Sequence, residues 1–357
     1  MAEQFHGLRV AEVVRETDDA SSIRFDLPDA LRDAFAFRAG QHVTLRAKID
    51  GEEVRRNYSL CVAPDDGVLK VTVKRVAQGL FSNWVGDHLA PGDMLGVMTP
   101  HGSFTCPFDG AQTRRYVAFA GGSGITPIIS LLRTALSVEP RSRFTLFYGN
   151  RNATSIIFLD ALADLKDRYM GRFEVYHFLS DEAGDVELFN AMLDRATCAA
   201  AIAQLIDEPQ AVDHWFICGP GPMMDAAEAA LVERGVARDR IHIERFTAGR
   251  PSEALAAQMA KAQEDAAGLT ISVTLDGRTR KILFDGRNIL DSARDAGMPA
   301  PFACKAGVCA TCRAKVVAGN IEMAARYGLT DEEIAAGYVL TCQSVPVGDG
   351  VAVDYDA

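Results

Sequence analysis

The 357-residue sequence lacks any apolar run near the ~18 residues that a membrane-spanning helix needs. It also lacks a cationic leader with an apolar segment behind it. The chain opens MAEQFHGLRVAEVV, with acids where a secretory signal carries positive charge. Cations are the minority, 37 Lys and Arg against 48 Asp and Glu, and the net charge of −11 is spread along the chain. No segment is basic enough to expect nucleic acid or an anionic membrane as a partner. With 48% hydrophobic and 24% charged residues, a mainly disordered or fibrous chain is excluded as well. What remains is a cytoplasmic protein of two or three domains, each long enough to bury a core. In a reducing compartment its eight cysteines are not expected to form disulfides.

Four of those cysteines are scattered (Cys61, Cys106, Cys198 and Cys218) and four are clustered. Cys304, Cys309 and Cys312 make C-x4-C-x2-C, and Cys342 follows in Val339-Leu-Thr-Cys-Gln343. This is the ligand spacing of a plant-type [2Fe–2S] cluster. Ala303, Ala306, Gly307 and Ala310 are small enough to let a tight loop turn and bring N–H groups toward the sulfurs. Zinc also accepts four thiolates, but its structural sites usually pair C-x2-C with a second close pair, which is missing here. Upstream, Leu269–Leu275 alternates as a strand, Asp276-Gly277 marks a hairpin and Lys281–Phe284 returns. Asn288 to Ala296 reads as a short helix stopped by Gly297 and Pro299. This pattern resembles the ferredoxin β-grasp.

Residues 115–248 alternate apolar runs (Tyr116–Ala120, Phe144–Tyr148, Phe173–Leu179, His214–Cys218, Ile241–Phe246) with helical stretches at Ile128–Leu136, Ser155–Tyr169 and Met223–Arg234. That is a βαβ series over a parallel sheet, whose ligands bind at the strands' carboxyl ends. Two loops fall there. Ala120-Gly-Gly-Ser-Gly-Ile-Thr-Pro127 opens a helix, suiting a pyrophosphate, although it departs from G-x-G-x-x-G. Cys218-Gly-Pro-Gly-Pro-Met-Met224 is again strand to helix. Residues 8–105 read as the short strands of an antiparallel barrel: Leu8–Arg15, Ser22–Asp26, His42–Arg46, Tyr58–Val62 and Leu69–Arg75.

Arg56-Asn-Tyr-Ser59 in that barrel, followed by the two loops in this order, resembles the ferredoxin–NADP reductase superfamily. The resemblance implies a flavin held by Arg56, Tyr58 and Ser59: charge for phosphate, a ring on the isoalloxazine, a hydroxyl near N5. It places the FAD pyrophosphate at Gly79, Leu80 and Ser82, favouring FAD over FMN, although Ser82 also suits an N-cap. It places the nucleotide pyrophosphate at Gly122, Gly124 and Thr126, and Cys218 beside the nicotinamide, where a small buried hydrophobe is the alternative. Glu244 and Phe246 would lie near the reacting rings, or Phe246 in plain core. NADPH is expected over NADH, because Arg151 after the second strand can meet a 2′-phosphate and Ser180 ends the third. Asp181 opposes this.

The implied architecture is multidomain: an antiparallel β-barrel flavin domain (1–112), an α/β parallel-sheet nucleotide domain (113–248), a linker (249–267) and a β-grasp ferredoxin domain (268–357). The linker suits either a helix or a tether, with nothing apolar to pin it. Across the whole chain, Leu146–Arg151, Phe216–Pro220, Ala303–Arg313 and Gly337–Gln343 resemble the reductase subunits of bacterial phenylacetyl-CoA epoxidases. This implies electrons passing from NADPH through FAD and a [2Fe–2S] cluster to a di-iron oxygenase, in phenylacetate degradation. Ser59, Cys218 and Glu244 are the expected catalytic residues and Cys304, Cys309, Cys312 and Cys342 the metal ligands. Lys305 and Arg313 flank those ligands and suit an acidic partner. The alternatives are a Rieske oxygenase reductase using NADH and FMN, and a redox sensor without turnover.

Overall fold

Period-two alternation carries the first third of the chain into strands, and in the computed structural model they close on themselves. The structure describes residues 5–247 and 253–357, so residues 1–4 of the expected flavin domain, residue 248 and the start of the expected linker (249–252) lie outside the described residues. The strands are β1 (Phe5–Thr17), β2 (Ala20–Asp26), β3 (His42–Ile49), β4 (Glu52–Ser59) and β5 (Leu69–Lys74). Helix α1 (Leu80–His88) and β6 (Met94–Met98) follow. Their order is β4-β3-β6-β1-β2-β5, every pairing antiparallel. Leu60, just past β4, bridges Val71 of β5, and the Cys61 N–H donates to Lys70 O, which joins the two outer strands into a barrel. Phe81 and Val85 of α1 plug its core beside Val43, Leu45, Val71 and Val97.

One expectation shifts here, and one strand was not expected. The strand expected at Tyr58–Val62 starts earlier, at Glu52, and ends at Ser59, so the R-N-Y-S motif closes a strand. The reason is the turn at Asp50 and Gly51, both at positive φ (51° and 88°), which returns β3 into β4 ahead of the motif. The strand β6, rich in Met and Gly, has no alternation to read.

The same compact unit, Phe5–Glu244, continues into a parallel sheet. Its elements are β7 (Arg115–Gly121), α2 (Ile125–Val138), β8 (Arg143–Asn150), α3 (Leu159–Arg168), β9 (Phe173–Leu179), α4 (Arg195–Leu205), β10 (His214–Cys218), α5 (Gly221–Glu233) and β11 (Ile241–Glu244). The strand order is β11-β10-β7-β8-β9, all parallel. The helix α4 is unexpected from sequence: its stretch RATCAAAIAQL has too little amphipathic contrast to show a period. Glu139, at the end of α2, is fully buried. Its Oε1 accepts from Arg114 Nη1 and Asp109 N–H, both at 3.1 Å, and its Oε2 from Tyr116 (2.9 Å) and Ser142 (2.6 Å).

The second unit, from Arg245 to Ala357, has its own core. It holds α6 (Glu253–Ala266), β12 (Thr270–Leu275), β13 (Arg278–Leu283), α7 (Ile289–Asp295), β14 (Arg313–Met323), α8 (Asp331–Ala335), β15 (Tyr338–Leu340) and β16 (Ser344–Asp354). The sheet order is β13-β12-β16-β14-β15, with β12 and β16 parallel. Asp276 and Gly277 both take positive φ (51° and 69°), as a two-residue hairpin requires. Asn288 caps α7 by accepting from Asp291 N–H at 2.8 Å. The described part of the expected linker is neither free nor unpinned. Residues 253–266 form α6, and Met259 and Ala266, with Leu255 and Ala262 beside them, pack into this unit's core. The apolar positions recur at three- and four-residue spacing, a helical face.

Replacing Glu139 by alanine leaves Arg114 charged and two hydroxyls and an N–H without their acceptor. The expected loss is about 3–5 kcal/mol, read as a lower denaturation midpoint in urea for the first unit.

Candidate functional site

The two glycine loops of the parallel sheet meet at its carboxyl edge. After β7, Gly122–Gly124 forms one 3-10 turn that leads into α2. A methyl on Gly124 would stand 2.0 Å from the Cys218 carbonyl oxygen, so only glycine lets the first loop lie against the second. Thr126 is buried and donates to Ser123 O at 3.0 Å, which stiffens the turn. The loops border a cleft of about 720 Å³, the size of a nucleotide site. Gly121, Gly122, Arg151, Ser180, Pro220 and Met223 line it, with Lys74 from β5 and Arg195 from α4. Sequence reasoning misses Lys74 and Arg195 as cleft cations. Lys74 sits in Val73-Lys-Arg-Val76, a stretch that by itself points to no ligand, and Arg195 has no motif around it. The Ser180 hydroxyl donates to Asp181 at 2.7 Å, so it is engaged by the acid that weighs against a 2′-phosphate.

On the barrel, the R-N-Y-S motif turns along the end of β4. Arg56 is exposed, its Nη1 held on Arg55 O at 2.7 Å. The Tyr58 ring is half-buried, 5.7 Å from Phe81 of α1, and burial pushes its hydroxyl pKa up. Ser59 is buried with its Oγ lacking a partner. A buried hydroxyl left so costs about 1–3 kcal/mol, which suits an acceptor supplied by a ligand. At the start of α1 the Gly79 N–H is used by Val76 O (2.9 Å), whereas the first-turn N–H groups that follow, from Leu80 to Ser82, have no acceptor within the helix. Ser82 is not the N-cap, since Gly79 holds that position. Its Oγ accepts from Val76 N–H at 3.2 Å and ties the loop instead. These groups fit a flavin nucleotide: first-turn N–H groups and an arginine for phosphate, a ring and an orphaned hydroxyl for the isoalloxazine.

The three expected catalytic residues come together through a fourth that sequence reasoning does not assign. Cys218 and Glu244 are register partners on β10 and β11, and Ser59 and His42 on β4 and β3. His42 Nδ1 lies 3.8 Å from Glu244 Oε1, joining barrel to sheet. Burial, and then the Glu244 charge, holds the Cys218 thiol well above its ordinary pKa, so it is a neutral packing surface rather than a thiolate. Phe246 is 39% exposed and belongs to the second unit, while Glu244 ends the first.

In the second unit the four cysteines form two close pairs. Cys304 and Cys309 shift one another's thiol pKa in opposite directions, up and down, and so do Cys312 and Cys342, which places the thiols two by two. Two irons bridged by two sulfides require thiolates two by two, whereas a single ion needs all four around one point. Among the described residues, no group of three or more His, Cys, Asp and Glu side chains surrounds such a point. The loop between the ligands takes positive φ at Lys305 (52°), Gly307 (73°) and Ala310 (55°), a conformation that turns N–H groups inward. The Ala306 N–H reaches Cys304 Sγ at 3.2 Å, and Thr311 Oγ1 is buried without a partner. The set fits a [2Fe–2S] cluster. Lys305 is paired with Asp291 (2.6 Å) and Arg313 with Glu333, so the two flanking cations are already neutralised.

Barrel with a flavin motif, parallel sheet with a nucleotide cleft and β-grasp with paired thiols define a flavin- and NAD(P)H-dependent iron–sulfur oxidoreductase, and the chain belongs to that ferredoxin-reductase family. Residues 7–106 match the oxidoreductase FAD-binding domain, 119–229 the oxidoreductase NAD-binding domain and 273–347 the 2Fe-2S iron-sulfur cluster binding domain. Among its relatives is a component of the 1,2-phenylacetyl-CoA epoxidase of Escherichia coli (strain K12), 44% identical over 99% of this chain and 98% of that protein. Another is the ferredoxin reductase component of 3-ketosteroid-9-alpha-monooxygenase of Rhodococcus rhodochrous, 39% identical over 98% and 96%. Phthalate dioxygenase reductase shares the fold, with a TM-score of 0.61 over 98% of both chains at 23% identity. No helix among the described residues is long and apolar enough to cross a membrane.

Cys309→Ser is expected to abolish the visible absorbance of the cluster, with iron and labile sulfide lost, while bound flavin is retained and still bleached by reduced nucleotide. Stoichiometric zinc without sulfide in the parent protein would overturn the assignment.

Proposed function

We propose that this chain is the reductase of a multicomponent oxygenase, taking electrons from NADPH and delivering them singly to a di-iron oxygenase that acts on phenylacetyl-CoA. The observation that carries the reading is the full-length relationship, at 44% identity, to a protein named as a component of the phenylacetyl-CoA epoxidase. All three redox modules are present in one chain and in order, which supports turnover over a sensor role. Bound, the flavin converts a two-electron hydride into single electrons, and a plant-type cluster near about −400 mV carries them on to an acceptor.

The chain's own residues supply position and electrostatics. Arg56, Tyr58 and Ser59, with the helix start at Gly79, Leu80 and Ser82, hold the flavin. Gly122, Gly124 and Thr126 shape the turn for the nucleotide pyrophosphate, and Lys74, Arg151 and Arg195 face the same cleft. Those cations support NADPH. The Ser180–Asp181 hydrogen bond supports NADH, and with it the Rieske-type alternative. Cys218, held neutral by burial, would pack against the nicotinamide, with Glu244 one strand away. Cys304, Cys309, Cys312 and Cys342 would hold the [2Fe–2S] cluster. Because Lys305 and Arg313 are internally paired, they are poor candidates for steering the oxygenase.

Mixed with NADPH, purified di-iron oxygenase and phenylacetyl-CoA, the protein is expected to support epoxide formation. Brisk cytochrome c reduction without epoxide, together with turnover of a Rieske oxygenase, would transfer it to the alternative.

Nucleotide choice has its own test. Loss of a charge-assisted phosphate contact costs roughly 1.5–3 kcal/mol, so Arg151→Ala is expected to cut kcat/KM for NADPH by about tenfold or more and leave NADH little changed. An unaltered ratio would reduce Arg151 to a surface charge.

A further inference from the structure

Tyr355 stands just past β16, and neither the cysteine spacing nor the relatives' names give it a role. Its backbone is held from both sides. The Tyr355 N–H donates to Thr274 O of β12 at 3.0 Å, and the Asp356 carboxylate accepts from the hairpin N–H groups of Asp276 and Gly277 at 3.0 and 2.8 Å. The ring packs on this unit's core, to which Cys312 and Cys342 belong. Its hydroxyl lies 2.8 Å from the fully buried Thr341 Oγ1, which in turn lies 2.8 Å from the Cys312 carbonyl oxygen. The direction of both bonds is forced. A carbonyl oxygen only accepts, so the one proton of the Thr341 hydroxyl points at Cys312, and the phenol donates the other bond. Thr341 directly precedes Cys342, and its backbone N–H also donates to Cys312 O, at 3.2 Å. One residue thus ties the backbones of two cluster ligands together and takes its own hydrogen bond from Tyr355.

We infer that Tyr355 is a positioning residue for the [2Fe–2S] site: through Thr341 it strengthens the hydrogen bond to the Cys312 carbonyl and so raises the reduction potential of the bound cluster. The effect is electrostatic. Reduction adds one negative charge, and the carbonyl oxygen of a ligand residue carries partial negative charge close to it. The two hydrogen bonds from Thr341 offset that repulsion, in the way that partners beyond the ligands tune a metal centre. Thr341 donates more strongly while it accepts from Tyr355, because chained hydrogen bonds polarise one another by about 10–30% per bond. Thr341 is buried completely and Cys312 nearly so, which keeps these dipoles from being screened by water. An electron carrier between a flavin and an acceptor needs a potential suited to both, and a hydroxyl chain fixed inside the fold sets it without adding charge. The inference rests on the cluster assignment and not on which oxygenase is served.

Phenylalanine fills the place of the ring without its hydroxyl, so Tyr355→Phe isolates this one bond. In a redox titration of the full chain, followed by the EPR signal of the reduced cluster, the variant is expected to keep iron, labile sulfide and flavin at parent levels. Its cluster potential is expected to fall. At a fixed solution potential the ratio of reduced to oxidised cluster should drop about threefold, which is roughly 30 mV at 59 mV per tenfold for one electron. The flavin potential, set in the other unit, should stay where it is. Thr341→Ser, which retains a hydroxyl, is expected to keep the parent potential, and Thr341→Val to lower it further than Tyr355→Phe. Adding Tyr355→Phe to Thr341→Val should then change nothing more, because the phenol acts through that hydroxyl. An unchanged or raised potential in Tyr355→Phe, or shifts that simply add in the double variant, would overturn the proposal. Loss of iron and sulfide from Tyr355→Phe would also overturn it, by making Tyr355 a packing residue alone. A parent protein without iron and sulfide would sink the cluster assignment itself, whereas a full cluster with an unmoved potential sinks only the role of Tyr355.

Discussion

Barrel and parallel sheet are fused along one apolar seam, on which the placement of Ser59 and His42 against Cys218 and Glu244 depends. Ala39, Cys61, Phe104 and Cys106 from the barrel side share a core with Tyr116, Leu131 and Phe216 of the sheet domain. Phe104 meets Phe216 edge-on with centroids 5.5 Å apart, and Ser130, fully buried on α2, donates to Val62 O at 2.6 Å. Glu139, buried at the end of α2, has both carboxylate oxygens satisfied by four hydrogen bonds. Close-packed interiors transmit displacement instead of absorbing it. A site with Ser59 and His42 on one side and Cys218 and Glu244 on the other is therefore as well defined as the packing between them.

The iron–sulfur unit solves a different problem, since its ligands must hold a group larger than any side chain. Cys312 and Cys342 belong to its hydrophobic core, beside Leu290, Ala314 and Leu340. Cys304 and Cys309 sit on the loop that needs left-handed backbone at Lys305 and Ala310. One thiol pair is thus fixed by packing and the other by loop conformation. Lys305 gains an anchor in Asp291, and Gly328 N–H bonds Gly307 O at 3.0 Å, so the loop is tied at two points. Non-glycine residues at positive φ cost of order 1–3 kcal/mol each. Such cost persists where surrounding structure, here also the bound group, over-determines the loop.

Much of this can be read from the chain because its signals are local. The cysteine spacing, the Asp276-Gly277 hairpin and the Asn288 cap each act within a few residues, and each stands where the sequence places it. Strand β10 falls on the expected residues because a doubly buried parallel strand is a continuous apolar run, and the edge strand β9, FEVYHFL, falls there through its aromatic content. What escapes is either weakly patterned or non-local. The alanine-rich α4 has no period, and α6 looks unpinned in sequence because its packing surface is another part of the chain. His42 reads as a barrel strand residue and nothing more. Its neighbours, Glu244 at 3.8 Å and Asn57, come from strands that no spacing rule connects to it.

The charges around both redox sites follow a common arrangement that the net value of −11 conceals. Lys74 stands 3.5 Å from Asp19, Arg151 3.9 Å from the same carboxylate, and Arg195 pairs with Glu233, so each of these three cations of the nucleotide cleft has a resident acid. Exposed pairs of this kind are worth about 0–1 kcal/mol, little enough for a nucleotide phosphate to displace the carboxylate at small cost. Meanwhile the resident acid lowers the cleft's positive potential and repels anions that make no further contact. Asp19, on the β1–β2 hairpin, serves two of these cations from the barrel side. The cleft's cations are therefore largely balanced by resident acids, an arrangement that favours a ligand which also fills the glycine loops. Lys305 and Arg313, balanced by Asp291 and Glu333, put the cluster loop in the same condition toward a protein partner. Its surface is left to be recognised by shape and short contact more than by long-range charge, which suits an encounter that must end after each electron.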